Sequence, residues 1–114
     1  MKSLRPIFNP FNSYIAERRY DNAISKFSKL TKIAACLPRT DVLEKNENYW
    51  KGVCRSLIFR FPDDLEILLI RNNKNINDLQ GTIQVRSSSR IGQSDLGVNK
   101  KRVENLLYKL EKLS

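Results

Sequence analysis

Val103, Leu106, Leu107, Leu110 and Leu113 recur at the three- and four-residue spacing of one helical face, with Glu104, Lys109, Glu111 and Lys112 on the other side. A helix with so complete an apolar stripe must lay it against another element. A second stripe, formed by Ala23, Ile24, Phe27, Leu30 and Ile33 or Ala34, lies towards the other end of the chain, opposite Lys26, Lys29 and Lys32. Asp21 supplies a start signal for this helix and Pro38 bounds its far end. With 114 residues there is room for one domain. Both stripes therefore have to find cover in one core.

The middle of the chain supplies that cover, because its apolar residues change from helical spacing to alternation. Asp41–Lys45 reads as a weak strand, and Asn46-Glu47-Asn48 as a turn into a stronger one, Tyr49–Phe59. Val53, Leu57, Phe59 and Phe61 are expected on one face of it, and Pro62 is expected to end it or to sit at an edge. Leu65–Ile70 and Thr82–Ser87 read as two further strands, joined by the asparagine-rich loop Arg71–Asp78. Residues 1–19, with Pro6 and Pro10 among them, are assigned to an irregular N-terminal arm, and residues 20–114 to a single α+β domain. The expected fold is a small antiparallel sheet of about four strands, with an N-terminal and a C-terminal helix packed on one face.

Charge narrows the function classes. The chain carries a formal net charge of +9, with 21 Lys and Arg against 12 Asp and Glu. Residues 1–39 contribute +6, residues 40–80 contribute −1 and residues 81–114 contribute +4. Such asymmetry suits an anionic small molecule, an acidic protein surface, an anionic membrane surface or nucleic acid. The nucleic-acid reading rests on charge alone, since Tyr14, Tyr20, Tyr49 and Trp50 are too scattered to form a stacking platform. There is no histidine, which excludes a Cys/His zinc site and any His-dependent triad. Cys36 and Cys54 form no CxxC pair and read as buried free thiols. The longest apolar runs, Ile33–Leu37 and Ile67–Ile70, fall far short of the roughly 20 residues that span a bilayer. A cytoplasmic location is expected, or a plastid one if a transit peptide has been removed.

Two stretches hold more polar chemistry than their secondary structure needs. FRFPDDLEI, from Phe59 to Ile67, places Asp63 and Asp64 after a proline and before a strand. They could serve as metal ligands or a general acid/base pair, but adjacent strand residues point to opposite faces, which favours capping and pairing with arginine. Arg60, Arg86 and Arg90 are the available counter-charges. VRSSSRIGQSDLGVNKKRVENL, from Val85 to Leu106, runs through a glycine-punctuated loop into the final helix. Asp95 could cap a first turn there, and Gly97 or Asn99 the main helix. A serine-rich loop at a helix N-terminus, backed by Arg86, Arg90, Lys100 and Lys101, is also a generic anion site, although it is neither a Walker A loop nor a dinucleotide fingerprint.

Taken together, these two stretches closely resemble the bacterial and plastid proteins grouped as domain-of-unknown-function family 1499. The resemblance rests on paired acids before a strand, Arg-Ser-x-Ser-Arg, a glycine, Ser-Asp-Leu-Gly-Val-Asn and a basic opening to a helix, and it covers roughly residues 45–110. It implies a compact soluble domain and lends no activity. The expected function is a non-catalytic ligand- or protein-binding module. Its binding or conformation-fixing cluster would be Asp63, Asp64, Arg86, Ser87, Ser89, Arg90, Ser94, Asp95 and Asn99. No catalytic residue, metal site or cofactor is expected. The alternatives are a basic nucleic-acid-binding protein and an enzyme acting on an anionic substrate.

Overall fold

The computed structural model describes residues 3–7, 9–71, 79–92 and 94–113, so most of the loop expected at Arg71–Asp78 lies outside the described residues. Strands β1 (Ser13–Tyr20), β2 (Thr40–Lys45), β3 (Tyr49–Arg55), β4 (Pro62–Arg71) and β5 (Gly81–Ser89) form one antiparallel sheet, in the order β1-β5-β4-β3-β2. Helix α1 (Ala23–Ala35) joins β1 at one edge to β2 at the other, and α2 (Val98–Lys112) follows β5.

The sheet has five strands where about four are expected. The addition is β1, which apart from Tyr20 falls within the stretch read as an arm and pairs with β5 along its whole length, from Ser13↔Ser88 to Tyr20↔Gly81. Its sequence, SYIAERRY, disguises the strand. Only Ser13 and Ala16 are buried, and the charges of Glu17, Arg18 and Arg19 sit on a sheet edge, where they discourage further pairing. β2 forms the opposite edge and is exposed along nearly its whole length, with an irregularity between Val42 and Glu44.

Alternation in β3, β4 and β5 sorts their residues into two sets. Trp50, Cys54, Leu65, Ile67, Leu69, Ile83 and Val85 join one buried cluster with Ala23, Phe27, Leu30 and Ala34 of α1 and Val103, Leu106, Leu107 and Leu110 of α2. Residues of both apolar stripes thus share one core with the sheet, while Ile24 and Leu113 at their ends stay exposed. Gly52 makes the Trp50 position possible, since a Cβ there would stand 2.6 Å from the indole ring.

β3 ends sooner than its sequence suggests. Pairing stops at Arg55↔Pro62, and residues 56–61 form a closed loop in which the Ser56 N–H donates to the Phe61 carbonyl at 3.1 Å, while the Phe61 N–H donates to Ser56 Oγ at 2.9 Å. Arg60 turns the chain through the left-handed region, with φ of 60°. Leu57, Phe59 and Phe61, expected inside a strand, are therefore exposed on a hairpin tip. Pro62 opens β4, a position where its missing N–H costs no central ladder bond. Both cysteines are unpaired, but only Cys54 is buried; Cys36 lies just beyond α1 and is exposed.

Candidate functional site

Asp63 and Asp64 are consecutive in β4, opposite Ser89 and Ser88 of β5. Strand geometry sends them in different directions, and they bind different arginines. This divergence splits the polar residues of the two motifs into two systems.

The first system faces α2. Arg102 Nη1 donates to Asp63 Oδ2 at 2.9 Å and lies 3.0 Å from both Ser87 Oγ and Asn99 Oδ1. Ser87 Oγ donates to Asn99 Oδ1 as well. The Asn99 amide nitrogen reaches the Asn12 carbonyl at 2.9 Å, Ser89 Oγ at 2.9 Å and Asp95 Oδ2. Asn99 and Ser87 are completely buried, so one asparagine links β5, the start of α2 and the segment preceding β1. Asp95 organises the helix start. Its carboxylate accepts the Gly97 N–H at 2.7 Å and the Asn99 N–H at 3.1 Å, satisfying donors that the first helical turn leaves open. Burial alone would push the Asp95 carboxyl up, but the bonds from the Asn99 side chain and from the Gly97 and Asn99 backbone outweigh it and hold the group below the usual carboxylate range. Gly97, at φ 83°, supplies the left-handed residue that the helix entry requires.

The second system occupies the other alternation of β4 and β5. Arg90 grips Asp64 with two nitrogens, Nε at 3.0 Å from each carboxylate oxygen and Nη2 at 2.7 Å from Oδ1. This bond to Asp64 raises the already high pKa of Arg90, keeping it charged. Two residues further along the same face, Glu66 stands opposite Arg86 in register. Their closest approach is 3.6 Å, an ion pair without a hydrogen bond, while Glu66 accepts a 2.5 Å bond from the Tyr49 hydroxyl. Burial, and then that bond, push the Tyr49 phenol far up. Arg86 is only 4% exposed, yet its Nε and Nη1 find no hydrogen-bond partner among the described residues. A buried, unsatisfied guanidinium is costly, because its donors are removed from water without replacement.

Arg86 forms part of the wall of a cleft of about 380 Å³, together with Arg5, Asn9, Asn12, Ser13, Asp64, Ser88, Ser89 and Arg90. Ser13 and Ser88 are paired across β1 and β5, with their hydroxyls 2.7 Å apart. Three guanidinium groups and three serine hydroxyls thus surround one space, and the carboxylate in the wall, Asp64, is already held by Arg90. A second cleft of about 300 Å³, between α1 and the β2–β3 turn, is lined by residues such as Ile24, Phe27, Thr31 and Leu69. None of the buried unsatisfied side chains found among the described residues belongs to that lining.

The nine site residues expected from sequence separate accordingly. Asp63, Ser87, Asp95 and Asn99 belong to the network at α2, while Asp64, Arg86 and Arg90 line the cleft; Ser89 touches both. Ser94 joins neither among the described residues, where its hydroxyl accepts a long bond, 3.4 Å, from the Leu96 N–H. Arg102, Glu66, Tyr49, Ser13 and Ser88 were not among the expected residues. For Arg102 a signal exists: Asn99, Arg102 and Leu106 continue at helical spacing along the stripe that holds Val103, Leu106 and Leu110. A cation on the apolar face of a helix requires a buried partner. Nothing in its own sequence context marks Arg86 as unsatisfied.

The sequence model of one family, described as Protein of unknown function (DUF1499), matches residues 5–110, a wider span than the motifs that carry the resemblance. No curated protein matches the chain.

Proposed function

We propose that this chain, which belongs to the DUF1499 family of proteins of unknown function, is a binding domain that takes a small phosphate- or carboxylate-bearing anion in the cleft at Arg86. The observation that carries the reading is the buried Arg86 guanidinium, whose Nε and Nη1 have no hydrogen-bond partner among the described residues and which walls a cleft shared with Arg5 and Arg90. Both donors are sealed from solvent in this arrangement, so an anionic oxygen reaches them through a small shift of the cleft wall, and there it would satisfy them and offset the desolvation of the guanidinium. The cleft is of a size for a small ligand rather than a polymer. The network of Asp63, Arg102, Ser87 and Asn99 serves the site indirectly, by fixing β5 against α2 and the arm. The reading requires no bond-breaking chemistry. Nucleic acid is a weaker candidate, because Tyr49 and Trp50 are buried and unavailable for base stacking.

The test is thermal unfolding of the full chain with inorganic phosphate or citrate, against sodium chloride at equal ionic strength. A ligand at 100 times its dissociation constant adds about 2.7 kcal/mol, which a melting curve resolves easily. Arg86→Gln should abolish the increment. Arg5→Ser, at an exposed position, should weaken it while leaving the ligand-free melt in place. Equal melting temperatures in phosphate, citrate and chloride would overturn the reading.

A further inference from the structure

Residues 56–61 present an unusual surface for a polar, basic chain. Leu57, Ile58, Phe59 and Phe61 are 68%, 79%, 72% and 48% exposed, and they occupy a single six-residue hairpin loop. Phe59 and Phe61 stack on each other, with ring centroids 5.4 Å apart and planes 17° from parallel. The crossed Ser56–Phe61 hydrogen bonds close the loop, so these side chains are held outward from a fixed base. Solvent exposure of four large apolar side chains in one loop has no folding rationale, since none of them joins the core.

The surroundings of this loop indicate its partner. The Arg90 N–H donates to the Pro62 carbonyl at 3.1 Å, and the Asp95 N–H donates to the Phe11 carbonyl at 2.8 Å. The loop after β5 and the turn before β1 therefore lie at the same end of the sheet as the hairpin. They bring further exposed apolar residues, Phe11, Ile91 and Leu96, of which Leu96 is the most exposed at 89%. Fixed charges at this end are mostly positive: Arg5, Arg39, Arg60, Arg90, Lys100 and Lys101 against Asp95, with Asp63 and Asp64 already bound by Arg102 and Arg90. A protruding apolar tip amid cations combines the two features that hold a peripheral protein at an anionic bilayer: aliphatic and aromatic side chains for the acyl boundary, and Lys and Arg for the headgroups.

From this juxtaposition we infer that the end of the sheet carrying the 56–61 hairpin docks on an anionic membrane surface, with Ile58 and Phe59 inserted below the headgroups. A lipid surface suits the tip better than a protein does. A protein partner would need a preformed recess to accept a convex loop, whereas lipids part around it, and the cations contribute without matched acidic positions. The docking surface does not depend on anion binding at Arg86, although Arg90 borders both regions.

Co-sedimentation of the full chain with vesicles tests this inference. The protein should pellet with vesicles containing phosphatidylserine or phosphatidylglycerol and remain in solution with phosphatidylcholine alone. Raising the salt should weaken the binding. The double substitution Ile58→Ser/Phe59→Ser changes only exposed side chains and should leave circular dichroism unchanged, while reducing the apparent affinity about tenfold or more. In a Phe59→Trp variant, lipids brominated near the headgroup end of the acyl chains should quench the new fluorescence. Arg86→Gln should leave vesicle binding intact, which separates this surface from the cleft. Absence of binding to anionic vesicles at low salt would overturn the inference. Binding that survives Ile58→Ser/Phe59→Ser unchanged would also overturn it, since that outcome means adsorption by charge alone.

Discussion

Replacing Arg102 by methionine tests whether the α2 network holds the fold together. Methionine keeps most of the length and the apolar stem of the arginine but removes the donor that reaches Asp63 Oδ2 at 2.9 Å, together with those shared by Ser87 and Asn99. The Arg102 and Asp63 side chains are 15% and 11% exposed, so the abandoned carboxylate has little access to water. Breaking a buried pair from one side costs about 3–5 kcal/mol, and the residual exposure places this case near 3 kcal/mol. With a slope of about 1.5 kcal/mol per molar urea, the unfolding midpoint should fall by about 2 M. The double variant Asp63→Leu/Arg102→Met leaves no orphaned charge and places leucine next to the Leu65 layer. It should recover most of the loss, so that the coupling between the two sites reaches about 2 kcal/mol. A single-variant loss below about 1 kcal/mol, or a double variant that loses the sum of the two singles, would refute the assignment of Arg102 as the partner of a buried carboxylate.

Asp95→Ala should destabilise the domain by about 1–2 kcal/mol at pH 7, the usual cost of removing a capping carboxylate. The folded-state pKa of Asp95 lies below its unfolded value, so this contribution is present above about pH 4 and disappears as pH falls through the lower folded value. Urea melts of wild type and variant should therefore converge at acid pH, and a gap that is constant with pH would contradict the carboxylate's role. Tyr49 shifts the other way: its folded phenol is raised, so its contribution is complete below about pH 10 and is lost as pH rises through the folded value. Wild type should lose more stability in alkali than Tyr49→Phe, and ultraviolet titration should show the Tyr49 phenolate forming only as the protein unfolds.

The sequence reveals the fold wherever local pattern and burial agree. Both helical stripes, the apolar run of β4 and the inward Ile83 and Val85 of β5 are visible in it because most of the residues they bury are apolar. β1 is obscured because an edge strand buries little and carries charges, so its defining property is pairing with β5, across about 70 intervening positions. The premature end of β3 is obscured for the opposite reason. Leu57, Ile58, Phe59 and Phe61 are as apolar as any core strand, and exposure is not written in composition. The site is legible to a similar extent. The residue types in FRFPDDLEI and VRSSSR point to carboxylate–arginine pairing, but the pairing itself depends on register and pleat direction. Asp64 with Arg90 lay within reach of that logic; Asp63 with Arg102 required knowing which side of β4 the helix covers.

The adjacency of Asp63 and Asp64 has a physical consequence that neither residue would have alone. One pleat separates a pair with a small, closed role from a pair bordering open space. Asp63 is committed to Arg102 inside a network whose members are nearly all satisfied and buried, and such a network defines geometry without offering a vacant donor. Asp64 is also committed, to both ends of the Arg90 fork, but this commitment withdraws the carboxylate that would otherwise repel an anion from the cleft. Glu66 withdraws similarly into the Tyr49 hydroxyl and approaches Arg86 no closer than 3.6 Å. The acids of β4 thus neutralise the cleft enough for Arg86 to be buried there while leaving its Nε and Nη1 without a hydrogen bond among the described residues. A structural ion pair has no use for such restraint, because full hydrogen bonding between Glu66 and Arg86 would be the more stable arrangement. The incompleteness of that pair, set beside the completeness of the Asp63 network, is the physical ground of the proposal that the cleft takes an anion.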